Sequence, residues 1–481
     1  MPAPIEDARQ VLEHAAQRAI AYRQTVSQRP HRPDLGYRDM VDAFAMPTPE
    51  QGLAGPAVID ELAARAGPGL LGTCGPRFFG WVVGASHPVG VAADWLTSAW
   101  GQNAGNHIAS PATAAAEETA LAWLLDLLDL PRGCSVGFVT GATVANLTGL
   151  AAARSAVLRR VGWDVEADGL VGAPPIDVLI GEDAHTTVFA ALQMLGLGHA
   201  RARRIATDSA GRIKATAFAD AIAQCNGPVI AIAQAGQINT GAFDPFADIV
   251  EIARTKDAWV HVDGAFGLWA RACPETAGLT AGIEDCDSWA TDGHKWLQTP
   301  YDCGYAIVRN GDAHRSAMTA AASSLPTDGI DGRDPSHLTL ELSRRARGFA
   351  TWAMIRHLGR QGIADMVSRH CRGARLMAER LGAEPGVEIV NDVELNQVMV
   401  RFGDRTSEQQ GDSLTEAVIR RVQDDGTCFA AGARWRGRWI MRLSVISWST
   451  DEVEIERSAA AILDAWRTVH ADAIRRRGAA A

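Results

Sequence analysis

The stretch WVHVDGAFG, residues 259–267, decides how the rest of the chain is read. WVHVD is short, rich in β-branched and aromatic residues and followed by Gly264, which are the marks of a buried strand. Its last residue is an acid, Asp263, and a carboxylate at the end of a buried strand is costly without a partner. Upstream, VIAIA (229–233) and IDVLI (176–180) read as strands too, with helical stretches between them. Strand–helix alternation predicts an α/β fold, a large unit whose mostly parallel sheet is covered by helices. In such sheets ligands sit beyond the carboxyl ends of the strands, so strand-terminal residues are the candidates for function.

Three further segments fit that rule. Downstream, SWATDGHKWLQTP (288–300) is a strand-like run followed by His294, Lys295 and Trp296. Most lysines lie on the surface, but one desolvated at a strand end becomes a competent Schiff-base former. Upstream, His185 follows the run IDVLIG, where it is either a hydrogen-bonded strand-end histidine or a ring able to stack and move a proton. Further upstream, GFVTGATVANLTGL passes from a strand through Gly141, Ala142 and Thr143 into a helix, whose free N–H groups and dipole favour a phosphate. That turn is neither the dinucleotide fingerprint nor a P-loop, which argues against a nicotinamide enzyme. A pyridinium N–H is a natural partner for Asp263, and Ala265 is small enough for a flat ring to lie against it. Phosphate turn, histidine, aspartate and lysine make one cofactor site, that of pyridoxal 5′-phosphate (PLP).

The remainder of the chain is consistent with a large enzyme. A length of 481 residues calls for two or three substructures. Residues 1 to about 70 read as helices broken by PHRPD and GPGLLG. Ser110 and Pro111 suit the N-cap and first position of a helix that presents Leu121, Leu124, Leu125 and Leu128 on one face. VEIVN, QVMVRF and RWIMRLSVI in the last ~120 residues suit a smaller α+β unit. The expected division is 1–75, 76–355 and 356–481. A net charge of -10 argues against nucleic acid or an anionic membrane as a partner. Eight scattered cysteines without a C-x-x-C pair suggest neither disulfides nor a metal centre. The acidic N-terminus is no signal peptide, and no run approaches the ~18 apolar residues of a membrane helix. A reducing cytoplasm is the expected location.

The chain resembles the group II PLP-dependent amino-acid decarboxylases, the family of aromatic-amino-acid and glutamate decarboxylases. The matching stretches are PRFFGW (76–81), SPATAAAEETALAWLLDLLDLP (110–131), TGATVANL (140–147), His185, NTGAFDPF (239–246), HVDGAFG (261–267), DGHKWLQTPYDCG (292–304) and ELSRRARGFATW (341–352). The resemblance implies the aspartate-aminotransferase fold (type I), an N-terminal arm used in dimerisation, and a homodimer with shared active sites. It implies that Lys295 forms the internal aldimine, Asp263 pairs with the pyridine nitrogen, and His185 and Ala265 flank the ring. Gly141, Ala142, Thr143 and His294 would hold the phosphate, with Asn239 or Gln237 replacing a hydroxyl the family carries at Gly236-Gln237-Ile238.

The expected reaction is decarboxylation of an L-amino acid to the amine and CO2, through the Lys295 Schiff base and a quinonoid, with His185 or Lys295 returning the proton. One departure bears on the outcome. The family carries a tyrosine in the loop after the lysine, whereas AASSLPTDG (321–329) places Ser324 there, and no tyrosine follows Tyr305. Two other outcomes are therefore open: oxidative deamination to an aldehyde, and retro-aldol cleavage of a β-hydroxy amino acid. Candidates for substrate contact are Trp81, Phe79, Ser324 and Arg442, with Trp100, Arg344 and Arg345 more simply read as structural.

Overall fold

Runs of five or six mainly aliphatic residues form a central sheet because β-branched side chains pack well on a pleated surface covered on both faces. The computed structural model describes residues 4–319, 332–403 and 408–480. The larger sheet consists of β1 (Ser135–Val139), β2 (Asp177–Gly181), β3 (Arg203–Ile205), β4 (Val229–Gln234), β5 (Trp259–Asp263), β6 (Ser288–Asp292) and β7 (Gly304–Val308). Their order is β1-β7-β6-β5-β4-β2-β3. All pairings are parallel except those of β7, which runs against β1 and β6. The strands expected at 176–180, 229–233 and 259–263 are present, displaced by no more than one residue. β7 is reversed because only residues 293–303 separate it from β6, too few for the crossover that a parallel partner requires.

A second sheet, β8 (Val387–Ile389), β9 (Gln397–Phe402), β10 (Ala431–Trp435) and β11 (Arg438–Ser444), is antiparallel throughout in the order β10-β11-β9-β8. It is the smaller α+β unit expected near the C-terminus. β10 carries no strong strand signal because AGARW has two alanines and a glycine. It forms by pairing with β11 through a two-residue turn, Arg436-Gly437, in which both residues have positive φ (49° and 84°). The helix Arg347–Gly382 joins the two sheets and is broken at Gly359 (φ 62°).

The arm forms helices Pro4–Thr25, Tyr37–Phe44 and Gly55–Ala66, interrupted at PHRPD and GPGLLG. The helix Pro111–Leu127 starts where Ser110-Pro111 placed it, but the serine does not cap it. Ser110 Oγ donates instead to Gln102 Oε1 at 3.1 Å. Leu124, Leu125 and Leu128 of that helix join the main core with Trp269, Trp289, Trp296 and Tyr305, and Leu121 packs partly buried against it. Among the described residues no helix is long and apolar enough to cross a membrane.

Candidate active site

β1, β2, β4, β5 and β6 all point the same way, so the residues that follow their carboxyl ends meet along one edge of the sheet. There they enclose a cavity of about 300 Å³. Gly141, Ala142, Thr143, His185, Asp263, Ala265, His294 and Lys295, picked from separate stretches of sequence, all line it. So do Thr187, Gln234, Phe266 and Asp292, which the sequence reading passed over. Asp292 had a usable signal: it ends the run SWATD as Asp263 ends WVHVD.

Asp263 is held between two parallel neighbours, in register with Gln234 of β4 and Ala290 of β6. It is buried, and its carboxylate accepts one hydrogen bond, from Ala265 N–H at 3.2 Å. Burial raises its pKa above the usual carboxylate range, opposed by the nearby charges of His185 and Lys295. No cation lies in ion-pair contact with it among the described residues. His185 caps the helix Thr186–Met194, and its Nδ1 lies 2.7 Å from Thr187 Oγ1. Burial lowers its pKa, opposed by the negative charge of Asp263.

Lys295 lies just past β6, with Nζ 3.1 Å from Asp292 Oδ2 and 6.0 Å from the centre of the Phe266 ring. Its backbone allows little movement. A Cβ on Gly84 would fall 2.2 Å from His294 O and 2.5 Å from Lys295 O, so only glycine lets the segment after PRFFGW cross here. The His294 ring stacks on Tyr301 at 4.3 Å, and its Nδ1 accepts from Cys303 N–H at 3.2 Å. Burial lowers the His294 pKa as well. Opposite, the helix Ala142–Arg160 opens toward the cavity, and Ala142 N–H donates to Asp292 Oδ1 at 2.6 Å. A Cβ on Gly141 would sit 3.0 Å from His294 Cε1 and 3.2 Å from Asp292 Oδ1, so a side chain here would press on both.

Other candidates lie elsewhere. Asn239 is outside the lining, and its Oδ1 accepts from Arg442 Nη1 at 3.1 Å. Gln237 is a turn clasp: its Oε1 accepts from the N–H of Asn239 (2.6 Å) and of Thr240 (3.1 Å). Arg442 is buried on β11 with Nε unpartnered, and burial pushes its pKa down to about 10. Phe79 is a correction: it is fully buried in the core of the second sheet, because the chain there pairs with Phe429 and Ser444. Trp81 is 49% exposed beside Phe78 and Phe429, and Trp100 is exposed against Phe349. Arg344 forms a buried ion pair with Glu117 at 2.7 Å, and Arg345 pairs with Asp94. Both arginines are structural. Ser324 lies outside the described residues.

The lining fits PLP. A buried carboxylate with no cation in contact suits a pyridinium N–H, a lysine suits the aldehyde, and a helix N-terminus beside a histidine suits the phosphate. The comparisons agree. The pyridoxal-dependent decarboxylase conserved domain matches residues 41–403. Tryptophan decarboxylase 1 of Oryza sativa subsp. japonica is 28% identical over 490 residues, covering 95% of this chain and 93% of that protein. The 4-hydroxyphenylacetaldehyde synthase of Rhodiola rosea is 25% identical, covering 90% of each. The crystal structure of the Oryza sativa tryptophan decarboxylase with PLP and tryptamine superposes with a TM-score of 0.89 at 23% identity, over 97% of this chain and 99% of that one. With its fold, cavity lining and family match in agreement, this chain belongs to the pyridoxal-dependent decarboxylases, and its cofactor is pyridoxal 5′-phosphate.

Proposed function

We propose that the protein removes the carboxylate of an L-amino acid as CO2 and releases the amine, with the cofactor attached to Lys295. The observation that carries this reading is the gathering of Lys295, Asp263 and His185 around one cavity at the strand ends. Bound there, the cofactor draws off the electron pair left on Cα when CO2 departs. Asp263 keeps the pyridine nitrogen protonated, and with that partner its own buried charge is matched. His185 and Ala265, which both line the cavity, would hold the two faces of the ring. His185 as its imidazolium, held through Nδ1 by Thr187, and Lys295 as its ammonium are the two groups able to return a proton to Cα. Gly141, Ala142 and Thr143 at the helix start, with His294, would receive the phosphate. Arg442, braced by Asn239, is a cation available to a substrate carboxylate. Trp81, half exposed, is a candidate wall of a substrate pocket completed by a second subunit.

The relatives are named for tryptophan and other aromatic L-amino acids, so these come first in a substrate screen. Incubation with them in air, followed by mass spectrometry, tests the reaction. An amine equal to one substrate minus CO2 supports it, and glycine plus an aldehyde refutes it.

A second reading has a specific observation behind it. Relatives include aldehyde synthases, and the family resemblance sets Ser324 where decarboxylases carry a tyrosine. With O2 as oxidant and water supplying the carbonyl oxygen, the substrate would then end as aldehyde, CO2, ammonia and hydrogen peroxide. Replacement Ser324→Tyr is expected to raise the amine-to-aldehyde ratio several-fold. An unchanged ratio removes Ser324 from the chemistry.

The protein acts as a homodimer with residues 1–75 as the dimerisation arm. Helices Tyr37–Phe44 and Gly55–Ala66 bury no residue, while Tyr37 (84%) and Leu53 (62%) are exposed, an apolar surface that a partner would cover. Light scattering should give twice the 51.2 kDa chain mass, and removal of residues 1–66 should give the monomer. All eight cysteines are free, which suits a reducing cytoplasm.

A further inference from the structure

The side chain beside Lys295 has no part in the chemistry above. Asp292 ends β6 and is 2% exposed. Its Oδ1 accepts from Ala142 N–H at 2.6 Å and lies 3.5 Å from His294 Nε2, while Oδ2 lies 3.1 Å from Lys295 Nζ. A carboxylate therefore engages the three groups that the phosphate and the aldehyde of the cofactor need. The charge balance of the wall makes this matter. Among the described residues two carboxylates, Asp263 and Asp292, face one lysine, and no arginine lines the cavity. Asp263 is matched by the pyridine nitrogen and Lys295, the cation beside Asp292, is taken by the aldehyde, so the charge of Asp292 meets the phosphate that approaches the helix start.

We propose that Asp292 sets how firmly the cofactor is held: its carboxylate competes with the cofactor phosphate for Ala142 N–H and His294, which keeps binding reversible and makes the phosphate contribute little. The proposal rests on the cofactor placement given under the proposed function. An asparagine at this position would keep an acceptor for Ala142 N–H and remove only the charge. A serine would remove both the charge and the reach.

Equilibrium dialysis of the full-length protein against PLP and, separately, against pyridoxal, which lacks the phosphate, tests this directly. Asp292→Asn is expected to bind PLP ten- to a hundred-fold tighter while its affinity for pyridoxal changes by less than about threefold, the scale set by one unit charge roughly 5 Å from another inside a protein. Asp292→Ser should move the PLP-to-pyridoxal ratio the same way. Equal gains for both ligands would overturn the proposal, because Asp292 would then act only by holding Lys295. Unchanged or weaker PLP binding in both variants would overturn it too. If the wild-type chain takes up neither ligand, the cofactor placement itself fails, an outcome distinct from the others.

Discussion

Lys295→Ala is expected to abolish covalent cofactor attachment and to lower turnover by about 10³-fold or more, the scale on which enzymes lose a covalent nucleophile. The sequence makes this test unusually clean. The whole chain has three lysines, Lys214, Lys256 and Lys295. Lys256 donates to Cys225 O, at the opposite end of the sheet from the cavity, and Lys214 precedes the helix Ala215–Ala223. Neither lines the cavity, so no neighbouring amine can take over. Borohydride reduction of the wild-type holoenzyme should fix the cofactor on the peptide that carries Lys295. Mass spectrometry that found it on Lys214 or Lys256 would refute the assignment. In Lys295→Ala the visible band of lysine-attached cofactor should disappear, although PLP can still bind through Asp263 and the phosphate turn.

Asp263→Asn should separate cofactor attachment from catalysis. Asparagine has nearly the same volume, and the position is fixed by register with Gln234 and Ala290, so folding and the Lys295 linkage should survive. An amide cannot match the charge of a pyridinium, so the ring nitrogen loses its proton and the ring loses most of its pull on electrons. Turnover should fall by roughly 10²- to 10³-fold, as on removal of one electrostatic stabiliser of a developing charge. A normal visible band with turnover near wild type would exclude Asp263 as the partner of the ring nitrogen. A variant that binds no cofactor at all would mean that Asp263 mainly supports binding.

Much of this site was legible before any coordinates, for a physical reason. Each of its groups sits where an apolar strand stops, and the strand pattern is written locally in WVHVD, IDVLI and VIAIA. A polar residue at such a stop has to find a partner, which singles out Asp263 and His185. The same logic applied to SWATD points to Asp292, but the neighbouring His-Lys pair drew the reading past it. The antiparallel return of β7 and the hairpin strand β10 were not legible, because each depends on pairing with a strand that is already placed. Arg344 offered no clue to its role, since its partner Glu117 is 227 residues away in sequence and meets it only in the packed core.

By itself, the sequence determined the α/β class and the strand ends, because periodicity and strand-end chemistry are local properties, and its family motifs pointed to the cofactor and singled out Lys295. Tertiary structure decided which of the many aromatic and charged residues reach the cavity. It buried Phe79 in the second core, turned Arg344 and Arg345 into ion-pair partners, braced Arg442 with Asn239, and set Asp292 between Lys295 and the helix start. These are contacts between segments far apart along the chain. They are selected by the volume each side chain must fill and by the charge it must meet, and neither is encoded in spacing.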